Sequence, residues 1–129
     1  MCKAILMMLL AVVSSNAMAE WVKVGGSDTL SIYADPTTIR KKSNIVKMWN
    51  MFDLKAEQTV TGGKPFLSVK GQEEYDCKEE QVRILYESNH SRNMGSGEQV
   101  FSTANLGKWL PVPPDSGTKV LWNYACGKR

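Results

Sequence analysis

The chain has 129 residues, 43% of them hydrophobic, and sixteen Lys and Arg stand against thirteen Asp and Glu for a formal net charge of +3. That length is one domain's worth, and a bias this small, with the signs interspersed, does not mark a nucleic-acid binder. With a single histidine, His90, neither a multi-histidine metal site nor a spread of histidine-based catalysts is available.

In chain order, the N-terminus reads as an address. Lys3 supplies a short positive region, Ala4 to Val13 an apolar core, and Ala17-Met18-Ala19 a small-x-small cleavage site, so residues 1–19 are expected to leave as a secretory signal and residues 20–129 to form the domain. The apolar run is shorter than the roughly 18 residues a membrane span needs. No cysteine follows the cleavage site to accept a lipid, so the expectation is an exported protein, periplasmic or secreted, that is not a lipoprotein. Residues 20–129 suffice to bury roughly 65% of the surface of the unfolded chain. Cys2 departs with the signal. Cys77 and Cys126 remain, an even count in an oxidising compartment, which predicts a disulfide. Closing a loop of about fifty residues contributes roughly 4 kcal/mol in the chain-entropy account.

Trp21 to Val24 alternates polar and apolar residues, Gly25-Gly26-Ser27-Asp28 turns, and Leu30 to Tyr33 resumes the alternation, predicting a hairpin. Asp35-Pro36-Thr37-Thr38 has the form of a capped single turn, and Arg40-Lys41-Lys42 leads to a turn at Ser43-Asn44. Ile45 to Leu54 is the longest predicted strand, with Val46, Met48 and Phe52 on one face and Ile45, Trp49 and Met51 on the other, as in a central strand covered on both sides. The methionines read as core filler. Thr61-Gly62-Gly63-Lys64 is a glycine turn, and because Pro65 follows Lys64 it is no phosphate loop.

Phe66 to Val69 and Tyr75 to Cys77 read as one strand interrupted by a bulge at Gly71. Val82, Ile84 and Tyr86 alternate with Arg83 and Glu87, Met94-Gly95-Ser96-Gly97 reverses the chain, and Gln99 to Ser102 forms a last short strand. Every link is too short for a parallel crossover, so the class is α+β, an antiparallel meander of about six strands with one C-terminal helix. Pro111, Pro113 and Pro114 oppose ladder pairing and lead to Asp115 or Ser116 as helix caps. Thr118 to Cys126 is the helix, stopped at Gly127, with Lys128 and Arg129 at the negative end of its dipole. Leu121, Trp122, Ala125 and Cys126 form one apolar stripe, and Val120 with Tyr124 forms a second that needs cover from Trp109 to Pro114 or from a second subunit.

The order of these signals resembles the bacterial surface-adhesin protein E family over nearly all of the mature chain. The residues that carry the resemblance are a Trp near the mature start, Tyr33 with Asp35-Pro36, Trp49 in a long strand, Tyr75-Asp76-Cys77, Gly95 and Gly97, Trp109 before Pro114 and Ser116, and Cys126. The resemblance implies an antiparallel sheet with a C-terminal helix tethered by the disulfide to its concave face. It implies dimers too, here through Val120 and Tyr124, and binding of host matrix or serum proteins. The family's founding adhesin is a lipoprotein, and this sequence departs from it in lacking the lipid-accepting cysteine.

Chemistry is sparse. His90 among Asn89, Ser91 and Arg92 reads as a solvated strand-end residue, and one histidine with two bridged cysteines cannot assemble a zinc site. Glu73, Glu74, Asp76, Glu79 and Glu80, flanked by Lys70 and Lys78, read as a solvated polar face rather than a cation site or an acid pair. The expectation is a non-enzymatic module without metal or cofactor that binds a macromolecular protein partner, with Arg40, Lys41 and Lys42 as the first contact patch. The competing reading is a small periplasmic hydrolase or ligand carrier with a pocket between sheet and helix.

Overall fold

The computed structural model describes residues 19–128. The predicted signal, save Ala19, lies outside the described residues. β1 (Val22–Gly26), β2 (Leu30–Lys42), β3 (Ile45–Gln58), β4 (Phe66–Asp76), β5 (Gln81–His90) and β6 (Gln99–Thr103) lie side by side in chain order, each antiparallel to the last. A two-residue β7 (Leu110–Pro111) follows, and α1 (Gly117–Ala125) closes the chain. The meander and its single helix are those the alternation and link lengths predict.

β6 pairs with Glu87 to His90 and β7 with Gln81 and Val82, so the two share one edge of β5. Between them the Gly107 N–H donates to the Ile84 carbonyl at 2.8 Å. A Cβ at Gly107 would lie 3.0 Å from that oxygen, which explains a glycine at this approach. The pair thus acts as one edge strand interrupted at 104–109. Pro111 does pair, contrary to expectation, because a sheet edge leaves one side of the strand without ladder bonds to make.

Three other local expectations change. Asp35 to Thr38 is no helical turn but a bulge within β2: Asp35 pairs with Trp49 and Arg40 with Lys47, leaving Pro36 to Ile39 looped out. The Thr38 hydroxyl replaces part of the missing ladder, accepting from the Trp49 N–H at 3.0 Å and donating to the Asp35 carbonyl at 2.7 Å. β4 is not broken at Gly71. The shift lies opposite, on β5, where Gln72 pairs with Tyr86 and Glu73 with Ile84, so Leu85 is the extra residue. Gly71 instead makes room for Asn50, whose Oδ1 would sit 3.3 Å from an added Cβ. Finally, β3 is central but has the helix on one face alone.

That face carries the core: Ile32, Ala34, Met48, Tyr75 and Val82 from the sheet, Val112 from the proline segment, and Leu121 and Trp122 from α1. The helix begins one residue early. Ser116 is the cap, its hydroxyl accepting from Lys119 N–H at 3.1 Å, and Gly117 lies where a Cβ would come within 2.8 Å of the Phe52 ring. Gly127 takes the left-handed stop at φ 69°. Val120 and Tyr124 pack partly on this core, and Val120 Cγ1 comes within 2.8 Å of a Cβ built on Gly25. β1 therefore supplies part of the cover that the sequence assigned to the Trp109–Pro114 segment or to a second subunit.

Nine residues of helix do not hold together unaided. Cys77 and Cys126 are bridged across 49 positions with their Cα atoms 5.6 Å apart. Beside the bridge the Trp122 indole N–H donates to the Asp76 carbonyl at 2.9 Å, and Lys119 lies 4.3 Å from the Trp122 ring while pairing with Glu80. Replacing Cys77 and Cys126 together by Ser is expected to lower stability by on the order of 2–5 kcal/mol. Hydrogen exchange should show amides of Leu121 and Trp122 losing protection before those of β3. Equal loss in both elements would show that the bridge does not hold the helix.

Candidate adhesive face

On the face of the sheet opposite α1, the 3-10 turn Asn93–Gly95 covers the Asp53 and Ser68 end, the Gly95 N–H donating to the Ser68 hydroxyl at 2.9 Å and the Met94 N–H to Asp53 at 2.7 Å, and the rest of the face is open. Strand alternation presents Lys47, Trp49 and Met51 of β3 there, next to Glu74, Gln72 and Lys70 of β4. Trp49 meets Tyr86 of β5 edge to face, with ring centroids 5.5 Å apart. Met51 is fully buried on this face between its cross-strand neighbours Tyr33 and Lys70, and Lys70 in turn packs under Gly95, where an added Cβ would lie 3.0 Å from the Lys70 Cδ. Farther along, Arg83 bonds Glu74 at 2.7 Å and lies 4.6 Å from the Trp109 ring.

One end of this face forms an open cleft of about 840 Å³. Its walls are Trp21 and Glu20 from the N-terminal segment, Asp35, Thr37, Thr38 and Arg40 from the β2 bulge, Lys47 and Trp49 from β3, and Lys70 and Gln72 from β4. The bulge creates it: by leaving the ladder for four residues β2 rises above the sheet and becomes a wall. Ion pairs among the described residues join Lys64 to Glu98, Arg83 to Glu74 and Lys119 to Glu80, so Arg40, Lys47 and Lys70 enter the cleft unpaired. Asp35, 3% exposed, is occupied internally by bonds from Thr37 N–H at 3.0 Å and the Thr37 hydroxyl at 2.5 Å. Three free cations beside two indole faces suit an anionic group with an apolar or planar neighbour.

Of the basic run, only Arg40 lines the cleft. Arg40 lies opposite Lys47, whereas Lys41 pairs with Val46 on the other face and Lys42 sits at the exposed hairpin end. Lys47, Lys70, Trp21 and Trp49 were not legible as partners because the register that joins them depends on loops and on the bulge. Period-two alternation of Lys47, Trp49 and Met51 was the one signal present.

The acidic cluster also divides by alternation. Glu73 turns to the helix side and is buried, accepting from Asn50 and, at 3.1 Å, from the Tyr75 hydroxyl. Glu74 turns to the open face, and Asp76 accepts from the Lys78 and Glu79 N–H groups at 3.0 and 2.9 Å to form the β4–β5 turn. The expected solvated face is therefore wrong for Glu73. It is wrong for His90 as well, which is 6% exposed with its Nε2 2.8 Å from the Ser88 hydroxyl. Burial, and then the Lys70 charge, lower the His90 pKa and favour the neutral ring. Core side chains fill most of the space between sheet and helix, and the opening there is a groove of about 440 Å³ where β1 meets α1.

The model of the surface-adhesin protein E family matches residues 21–127. The chain belongs to that family. Three solved structures of Haemophilus influenzae protein E share this fold. The non-typeable strain's protein matches with a TM-score of 0.61 at 14% identity, covering 88% of this chain and 79% of that one. A second crystal form matches at 0.60 and 14%, covering 86% and 97%, and a third structure at 0.62 and 13%, covering 88% of each. No curated protein sequence matches significantly. As a family member the chain is an adhesin-like surface protein.

Burial is the largest cause raising the Glu73 pKa above its ordinary value of 4.5, opposed by the bonds from Tyr75 and Asn50, and Glu87 adds to the rise. The folded state then holds this proton more tightly than the unfolded one, so Glu73's contribution to stability is fully present below its ordinary value and is lost as pH rises through the folded one. Glu73→Gln, which keeps an oxygen acceptor for both donors, is expected to raise the melting temperature near neutral pH by a few degrees and to flatten that decline. Parallel curves for the two proteins from pH 4 to 8 would show that Glu73 is not the group responsible.

Proposed function

We propose that this protein is a non-enzymatic adhesin of the cell envelope that grips an acidic segment of a macromolecular partner in the cleft of its open face. The observation that carries the reading is the convergence there of Arg40, Lys47 and Lys70, none in an ion pair, with Trp21 and Trp49. The cations steer and hold carboxylates or sulfates, and the indoles supply contact area at small cost in side-chain entropy. Host matrix and serum proteins are the partner class. The protein is exported, periplasmic or secreted and without a lipid anchor, and the domain is residues 20–129.

Capture of immobilised matrix and serum proteins tests this. Arg40→Ala, Lys47→Ala and Lys70→Ala combined should weaken binding roughly tenfold or more at physiological salt, since each exposed charge contributes up to about 1 kcal/mol. Binding by the parent should weaken further as the screening length falls below roughly 8 Å. Lys41→Ala with Lys42→Ala should leave it nearly unchanged. A triple variant that binds like the parent would remove the cleft from the adhesive surface.

Self-association through Val120 and Tyr124 is supported by the shallow groove of about 440 Å³ that they form with Val22 and Val24 beside Lys23, Asn123 and Lys128. Tyr124→Lys is expected to shift the sedimentation profile toward monomer. An unchanged profile would assign these residues wholly to the packing of α1 on β1.

A further inference from the structure

We infer that Asp35 is the docking site for the protein's own α-amino group at Glu20, so that signal removal completes the cleft. Asp35 is 3% exposed, and Thr37 satisfies its Oδ1. Its Oδ2 receives a hydrogen bond from the Glu20 nitrogen at 3.2 Å. No Lys or Arg forms an ion pair with it among the described residues. A carboxylate so deeply buried calls for a compensating positive charge. Two independent observations meet at one atom: Ala17-Met18-Ala19 places the new terminus at Glu20, and the fold places the Glu20 nitrogen on the buried carboxylate.

While residue 19 is attached, that nitrogen is a peptide amide with one neutral N–H. After cleavage it is an ammonium with three, and the same contact becomes a charge-assisted pair. The pair pins the segment that carries Trp21, one wall of the cleft. The charged groups facing this position are Glu20 itself, Arg40 of β2, Lys47 of β3 and Lys70 of β4, all lining the same cleft. The three cations oppose a further positive charge and Asp35 favours it; contact distance gives Asp35 the larger effect. The amine's pKa is then raised in the folded state. Its stabilisation is fully present below its ordinary value near 8 and lost as pH rises through the raised one.

The inference rests on the cleavage reading and not on any ligand. The intact mass of the exported protein tests that reading separately, and a start at any residue but Glu20 overturns both. Melting temperatures of the processed protein and of the same protein retaining Ala19 are then compared from pH 5 to 10. The Glu20 form should melt several degrees higher near pH 7, and the difference should vanish toward pH 10. Asp35→Asn should abolish it. An NMR titration should place the Glu20 amine roughly one unit or more above its ordinary pKa. Equal melting of the two forms at every pH, or an ordinary amine pKa, would overturn the inference even where Asp35→Asn fails to fold.

Discussion

The rest of the structure depends on the attachment of one short helix to one face of the sheet. Nine residues cannot form a lasting helix in water, and the side chains they offer cover only part of a six-stranded surface. The Cys77–Cys126 bridge and the Trp122 bond to Asp76 anchor the helix to the β4–β5 end, and Ser116 and Gly127 bound it. Because α1 is the one α-helix among the described residues, the apolar core lies on the face it covers. The other face must be stable in water, and it manages this with cross-strand aromatic and cationic contacts such as Trp49 on Tyr86 and Arg83 between Glu74 and Trp109. An open, aromatic and charged sheet face is thus a direct result of the helix being tethered elsewhere.

Most polar groups that do go inside are satisfied by one another, the Asn89 Oδ1 being the exception among the described residues. Asn50, Glu73 and Tyr75 bond one another on the helix side, and the Gly71 notch lets Asn50 reach its partners. Asp35 is held by the bulge it begins. A carboxylate paired with neutral donors still carries the cost of its own desolvation, which is why Glu73 is drawn toward its protonated form. The two buried acids thereby meet opposite fates: one is best uncharged, and the other has a nitrogen next to it able to become a cation.

The cleft joins these themes. It is built where β2 leaves the ladder, and Thr38 supplies from its side chain the acceptor that the backbone no longer offers Trp49. A bulge next to a binding surface re-aims side chains that a regular strand would hold flat. Here it turns Arg40 toward Lys47 and raises a wall against which the N-terminal segment rests. The rigid sheet holds these cations at fixed spacing, which under the proposed function lowers the cost of binding a partner there.

Local patterns and covalent arithmetic decided much of this protein in advance. Alternation over Ile45 to Leu54 and Val82 to Tyr86, glycine turns and short links specify an antiparallel meander whatever the later packing. Two cysteines left after the predicted signal specify one bridge, and serine before a helix-period stripe specifies a cap. Tertiary structure alone decided which face stays open, since Trp49 and Met51 look as apolar as Val46 and Met48 until the helix has chosen a side. It also decided the fates of Glu73 and Glu74, neighbours in the chain that end on opposite faces, one buried and one paired to Arg83. The cleft itself needed both a bulge at Pro36 to Ile39 and the register that sets Lys47 beside Arg40 and Gln72 beside Trp49. Register follows from turn geometry and from which face is buried, and a bulge shifts it, so alternation within one strand does not by itself say which residues meet across strands.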